Sequence, residues 1–272
     1  MLFLLFLLNF ALWFNWTADD LRHHFQLGYA PNNATMVVVG DVTPEEIFGL
    51  AHQYIEPIPP HAPPPKVTTV EPPQLGERRL VVHKYAQLPI LMIAFHIPAT
   101  SHPDYFALQA LQTILATGHS SRLYQRLVDK DQLALSVSAD FGYSMDPTLL
   151  VITAQPRAGI APAQVEAAIY EELDRLKAGG VSSREAQKAS NLLLADFYNS
   201  VKTINGRASA LGNYEVFFGD YHKLFRAPDD YAKVTPDDIR RVAQAYFDDR
   251  NRTVATLSPD TRKEEAQSPP AP

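Results

Sequence analysis

The residues most able to do chemistry in this 272-residue chain are its nine histidines, at positions 23, 24, 52, 61, 83, 96, 102, 119 and 222. None stands at the spacing that puts two imidazoles on one helical face beside a catalytic glutamate, as in H-E-x-x-H or H-x-x-E-H. His23 and His24 are adjacent, so on a helix they point about 100° apart and cannot chelate as a pair. A solvated helix face accounts for them. His119 lies in the run Gly118-His119-Ser120-Ser121-Arg122, whose imidazole, hydroxyls and guanidinium suit an anion or a peptide carboxylate. His119, Ser120, Ser121 and Arg122 are therefore the candidate substrate-binding residues; the competing reading is a loop whose serine caps the next helix. Neither serine sits in a G-x-S-x-G elbow, and no Gly-rich phosphate loop is present. The absence of cysteine removes thiol nucleophiles and thiolate metal sites together. The adjacent carboxylates Glu45-Glu46, Glu171-Glu172 and Asp237-Asp238 fall in predicted helices, where solvent or the helix dipole explains them. Residue by residue, no catalytic centre and no metal-ligand set emerges.

The elements that would position these residues follow from periodicity and caps. Thr17 and Asp20 form a capping box that opens a helix to about Leu27, followed by a turn at 30–33 and a β-branched strand at 35–39. Thr43-Pro44-Glu45-Glu46 starts a second helix. Strands are predicted at 80–83, 90–97, 133–141, 149–154 and 253–257, with 90–97 so continuously apolar that it belongs at the centre of a sheet. Helices are predicted at 105–116, 122–129, from Val165 to a stop at Gly179-Gly180, from the Ser182/Glu185 capping box to about 201, and at 207–219 and 236–246. Strands in runs followed by helices in runs indicate an α+β fold, a layered and mostly antiparallel sheet with helices packed on it.

Residues 17–39 recur at 235–257 at a constant offset of 218. Thr17, Asp19, Asp20, Arg22, Gln26, Asn33 and Thr35 match Thr235, Asp237, Asp238, Arg240, Gln244, Asn251 and Thr253. Each copy reads as the closing helix and strand of a larger unit. Between them, residues 57–73 hold eight of the 22 prolines, a semi-rigid strap of polyproline II character. The expected organisation is an incomplete first domain over 1–56, a Pro-rich linker over 57–76, a whole second domain over 77–260, and a disordered tail over 261–272. A net charge of −6 with pI near 5.8 argues against a nucleic-acid surface. Residues 1–14 are apolar apart from Asn9, shorter than a membrane span, and without the flanks of a signal peptide. A buried segment or a misplaced start is preferred for them over an export or anchor segment. A periplasmic or envelope-associated location is the overall expectation.

Asn15-Trp16-Thr17-Ala18-Asp19-Asp20-Leu21, Tyr29-Ala30-Pro31-Asn32-Asn33-Ala34-Thr35 and Val37-Val38-Val39-Gly40-Asp41-Val42 resemble the end of the first domain of M16 (insulinase/pitrilysin-type) zinc peptidases. The likeness continues through Glu71-Pro72-Pro73-Gln74, Glu77-Arg78-Arg79, Gly118-His119-Ser120-Ser121-Arg122-Leu123-Tyr124 and residues 208–220, so it covers about 15–259. It implies two homologous halves joined by a linker, closing around an unstructured peptide, with zinc held in the first half by an H-x-x-E-H helix and a more distant Glu. None of those ligands is in this chain, so zinc is expected in a missing or partner half. The Arg and Tyr that many second halves use to bind substrate fall at Val128 and Leu135, where both polar groups are absent. Arg126 and Tyr143 lie nearby and receive no family role.

The resemblance leaves three readings open. The chain is the linker and C-terminal half of a peptidase whose zinc half was lost by truncation or a misplaced start. Alternatively, it is a non-catalytic subunit that completes the clamshell of a separate zinc-bearing chain, or a scaffold subunit with no proteolytic role. The implied partners are a peptide substrate and a homologous zinc-bearing half, with no nucleic acid.

Overall fold

The computed structural model describes residues 16–260; the readings for residues 1–14 and 261–272 lie outside them. The chain divides into two units at Glu71/Pro72. In the first, α1 (Ala18–Gly28) opens on the predicted capping box. The Asp20 main-chain N–H donates to Thr17 Oγ1, and the Asp20 carboxylate accepts from the Thr17 N–H at 2.8 Å. A 3₁₀ turn (Pro31–Asn33) follows, and α2 (Pro44–Tyr54) repeats the capping box with Thr43 and Glu46. The strand predicted at 35–39 forms no ladder. A strand is held by its neighbours, and this segment has none among the described residues.

The second unit is built on one five-stranded sheet, in the order β1-β5-β2-β4-β3. Its strands are β1 (Arg78–Lys84), β2 (Ile90–Ile97), β3 (Ala134–Asp140), β4 (Thr148–Pro156) and β5 (Arg252–Pro259). All pairs are antiparallel except β1 with β5. The α+β reading therefore holds, with one parallel pair in a largely antiparallel sheet and the apolar β2 at its centre.

Helices cover one face. These are α3 (Tyr105–Ala116), the short α4 (Arg122–Tyr124) running into a π-helical turn (Gln125–Lys130), α5 (Pro162–Gly179), α6 (Ser183–Ser200), α7 (Ile204–Phe218), α8 (Ala227–Ala232) and α9 (Pro236–Tyr246). Leu91, Ile93 and Phe95 alternate onto that face and bury completely with Leu150 and Ile152, against Leu108, Leu111 and Leu115 of α3, Ile169 and Leu176 of α5, and Ile239 and Val242 of α9. Each such burial contributes about 1.5–3 kcal/mol, which fixes the register of the helix layer on the sheet. A second cluster joins Tyr105, Tyr214, Phe218 and Tyr231, with the Tyr214 and Phe218 rings stacked at 4.3 Å. Gln109 bridges two of these tyrosines, accepting from Tyr231 Oη at 2.7 Å and donating to Tyr105 Oη at 2.9 Å. The 3₁₀ turn Tyr221–Arg226 and α8, neither expected from the sequence, complete this cluster. Pro228 and the acids Asp229 and Asp230 in the first turn were the signal for α8.

The internal repeat survives as structure. Thr235 and Asp238 cap α9 as Thr17 and Asp20 cap α1, and the turn Asp249–Asn251 stands 218 residues after Pro31–Asn33. Asn33 donates to the Gly28 carbonyl and Asn251 to the Tyr246 carbonyl, each at 2.9 Å. The pairs Arg22–Asp19 and Arg240–Asp237 are equivalent too. Burial separates the copies: Ile239 and Phe247 are 0% and 2% exposed, whereas their counterparts Leu21 and Tyr29 are 55% and 70% exposed.

A chain of ion pairs ties α4, α5 and α6 together. Arg122 donates to both oxygens of Glu185 (2.8 and 3.1 Å) and to the Gly180 carbonyl (3.1 Å), and lies 3.5 Å from Glu172. Arg175 holds Glu172 at 3.1 Å, and Arg126 bridges Asp131 and Glu171, both at 2.6 Å. Glu185 also closes the capping box of α6 with Ser182. Hydrogen bonds from Arg122, and then from Ser182, outweigh the effect of partial burial and hold the Glu185 carboxyl at about 2.

Two outcomes follow. Limited proteolysis should cut within residues 57–73 first and leave a resistant fragment beginning between there and β1; loss of the 77–260 region while 57–73 stays intact would place the boundary elsewhere. Arg122→Ala should cost about 2 kcal/mol in denaturant unfolding, less than a fully buried pair because Glu185 keeps partial solvent contact. Since the folded Glu185 pKa lies below its usual 4.5, its contribution is full above that value and is lost as pH falls from about 4.5 towards about 2. Glu185→Gln should flatten the stability profile in that window, and an unchanged acid slope would count against the pair.

Candidate functional site

Gly118 carries a φ of +73°, a conformation costly for any side chain with a Cβ, and it turns the chain from α3 into the predicted binding loop. Ser121 closes that turn, its N–H and its Oγ both donating to the Gly118 carbonyl, at 3.1 and 2.7 Å. It sits at the N-cap position of α4, yet its hydroxyl is turned to Gly118 and makes no cap hydrogen bond. His119 is exposed and stacks flat on Tyr124, with ring centroids 4.5 Å apart, while its carbonyl accepts from Gln125. Ser120 is exposed and accepts from the Lys188 ammonium of α6.

The fold thus brings all four candidates to one turn and divides them by commitment. Ser121 and Arg122 face inward and are spent on the turn and the ion-pair chain; His119 and Ser120 face solvent. Ser120, Ser121, Arg122, Glu185, Lys188 and Leu192 line a cleft of about 30 Å³. That space accepts a water molecule and not a peptide side chain. Lys188 and Glu185 were absent from the sequence-derived set because their separations from Ser120 and Arg122, 68 and 63 residues, leave no local spacing to read.

The other feature able to bind something is the sheet face away from the helices. By register, Leu80 and Val82 of β1, Ala255 and Leu257 of β5, Ile90, Met92 and Ala94 of β2, and Leu149 and Val151 of β4 share it. Towards β3 it turns polar, through Thr153, Gln155, Ser136 and Ser138. Leu80, Val82, Met92 and Leu149 are 39–47% exposed. An antiparallel sheet with one solvated face normally alternates apolar-in and polar-out; here many outward residues in the middle of β1, β5 and β2 are apolar as well, with Arg78, Lys84, His96 and Thr253 towards the strand ends.

The resemblance implies zinc for another half. Among the described residues no group of three His, Cys, Asp or Glu is placed to hold a metal ion. His23 and His24 are exposed on α1, one residue apart on its surface. At the positions of the family's substrate-binding pair, Val128 is buried in the π-helical turn and Leu135 is exposed beside the register shift of β3. Among the described residues no helix is long and apolar enough to cross a membrane.

Comparison with known proteins places this geometry. The chain is 31% identical over 251 residues to the zinc protease PqqE of Helicobacter pylori, covering 90% of this chain and 56% of that protein. The crystal structure of a protease from Helicobacter pylori superposes with a TM-score of 0.84 at 30% identity, over 90% of this chain and 60% of the other. That of a peptidase M16 inactive domain from Pseudomonas fluorescens superposes with a TM-score of 0.79 at 17% identity, over 92% and 60%, a likeness of fold. The chain spans about half the length of the curated relatives it matches. The family model described as the inactive domain of peptidase M16 matches residues 15–193, about two thirds of the chain, and the chain belongs to the M16 peptidase family as its inactive, C-terminal half.

Proposed function

We propose that this chain works as the non-catalytic half of a zinc-dependent peptidase, helping to enclose a peptide whose cleavage is carried out by a separate or missing zinc-bearing half. The observation that carries this reading is the open apolar sheet face in a unit otherwise complete. Leaving Leu80, Val82, Met92 and Leu149 in water forfeits about 25 cal/mol for each Å² of apolar surface that a partner would cover. A homologous half supplies an apolar surface of the right kind, and the match to the family's inactive domain supports that choice. In this reading residues 15–56 are the end of the zinc-bearing half and 57–76 the linker. The 118–122 loop meets the peptide through His119 and Ser120, with Ser121 and Arg122 holding it in shape. The periplasm or cell envelope is the location proposed with it.

The test is reconstitution. The purified chain alone should leave an unstructured peptide intact. Mixed with a separately produced M16 half carrying H-x-x-E-H, it should raise hydrolysis by on the order of tenfold or more over that half alone, as expected when substrate is held in place. A chelator should abolish the reaction. Hydrolysis by this chain alone, lost on chelation, would overturn the proposal. A stable complex with no gain in rate would favour the scaffold reading instead.

A further inference from the structure

The sheet ends in two edge strands, and they are not alike. β3 carries a register shift between Ala134 and Ser136, and Asp140 charges its end, both common guards against pairing with another chain. β1 pairs with β5 without any shift from Arg78/Thr253 to Lys84/Pro259, and all seven of its residues are exposed. Its centre is apolar: Leu80, Val81 and Val82 are 47%, 59% and 45% exposed.

The direction of its main chain can be worked out. Asp260 N–H donates to the Lys84 carbonyl at 3.0 Å, so the peptide groups of Lys84 face β5. Because the ladder is regular and strand residues alternate, those of Leu80 and Val82 face β5 as well. The N–H and C=O groups of Arg79, Val81 and His83 therefore point away from β5, to an edge with no neighbouring strand among the described residues.

A second copy of the chain is a poor occupant. Antiparallel pairing of two β1 strands about Val81 sets Arg78 opposite Lys84 at both ends, cation against cation. Arg79 is already held by Glu77 and Glu166, whereas Lys84 has no ion pair among the described residues. Apolar residues opposite 80–82, with an acid opposite Lys84, satisfy the strand at both points.

We infer that the outer edge of β1 is a strand-addition site for an extended polypeptide segment that is apolar at its centre and acidic at the end meeting His83 and Lys84. The site is independent of the peptidase reading, since it lies on β1 alone.

The test is fluorescence anisotropy of the full chain with a fluorescein-labelled peptide that has a Val-Thr-Val centre and two glutamates at each end. The peptide should bind, and a lysine-flanked counterpart should bind on the order of tenfold more weakly. Val81→Pro should weaken binding by about tenfold or more without lowering the melting temperature, because the N–H it removes points outward. Val82→Pro, which removes an N–H bonded to β5, should lower the melting temperature. A probe N-methylated at its central amides should fail to bind the unaltered chain, which keeps the test decisive even if Val81→Pro misfolds. Lys84→Glu should reverse the preference between the two peptides. No binding, equal binding of the N-methylated probe, or equal binding of the lysine-flanked peptide would overturn the inference. So would self-association of the full chain that Val81→Pro abolishes, which would give the edge to a second copy.

Discussion

The helices of the second unit cover one face of its sheet, and that one-sided burial sets the terms for everything else. Leu91, Ile93 and Phe95 anchor the helix layer on one side. Their neighbours Met92 and Ala94 carry the same apolar character to the other side, where no helix of this unit meets them. In β2 the apolar character of a strand buried on both faces is thus met by helices on one face alone within this unit. The ion-pair chain through Arg122, Glu185, Glu172 and Arg175 belongs to the covered side, where it fixes α4 and α6 around the 118–122 turn. The surface left for function is thus the open face, the exposed side of that turn, and the edge of β1.

Much of this was legible in the sequence because local rules were obeyed. The capping boxes read at Thr17 and Ser182 formed, and the helix starts at Thr43 and Thr235 close the same box, since each pairs a hydroxyl with an acid three residues on and needs no distant partner. The five strands of the sheet were visible as short apolar or alternating runs, β2 the most continuously apolar of them. The segment 35–39 has the same composition as its counterpart in β5 but forms no ladder. Strand propensity describes fitness for a sheet, and the sheet must be present for it to act. The first copy of the repeat accordingly keeps the caps, the turn and the Asn33 hydrogen bond, which are local, and leaves Leu21 and Tyr29 exposed, because their burial depends on tertiary partners.

The candidate site was legible only in part. The run Gly118-His119-Ser120-Ser121-Arg122 was found from its residue types, but the division of labour inside it depends on Glu185 and Lys188, more than sixty residues away. Spacing carries no information about such pairs. Nor did spacing reveal that the Ser121 hydroxyl would turn back to Gly118 rather than cap the helix after it. The family relation adds what geometry alone leaves open. The match to a domain described as inactive, and curated relatives of which the chain spans about half, support the homologous half proposed for the uncovered face.

The most direct measurement is carbene footprinting of the chain, alone and mixed with a zinc-bearing M16 half. The account predicts that labelling falls at Leu80, Val82, Met92 and Leu149, on the open sheet face, while Leu192 and Phe225, exposed on the helical side, label as before. Protection at Leu192 and Phe225 with the sheet face still fully labelled would contradict it.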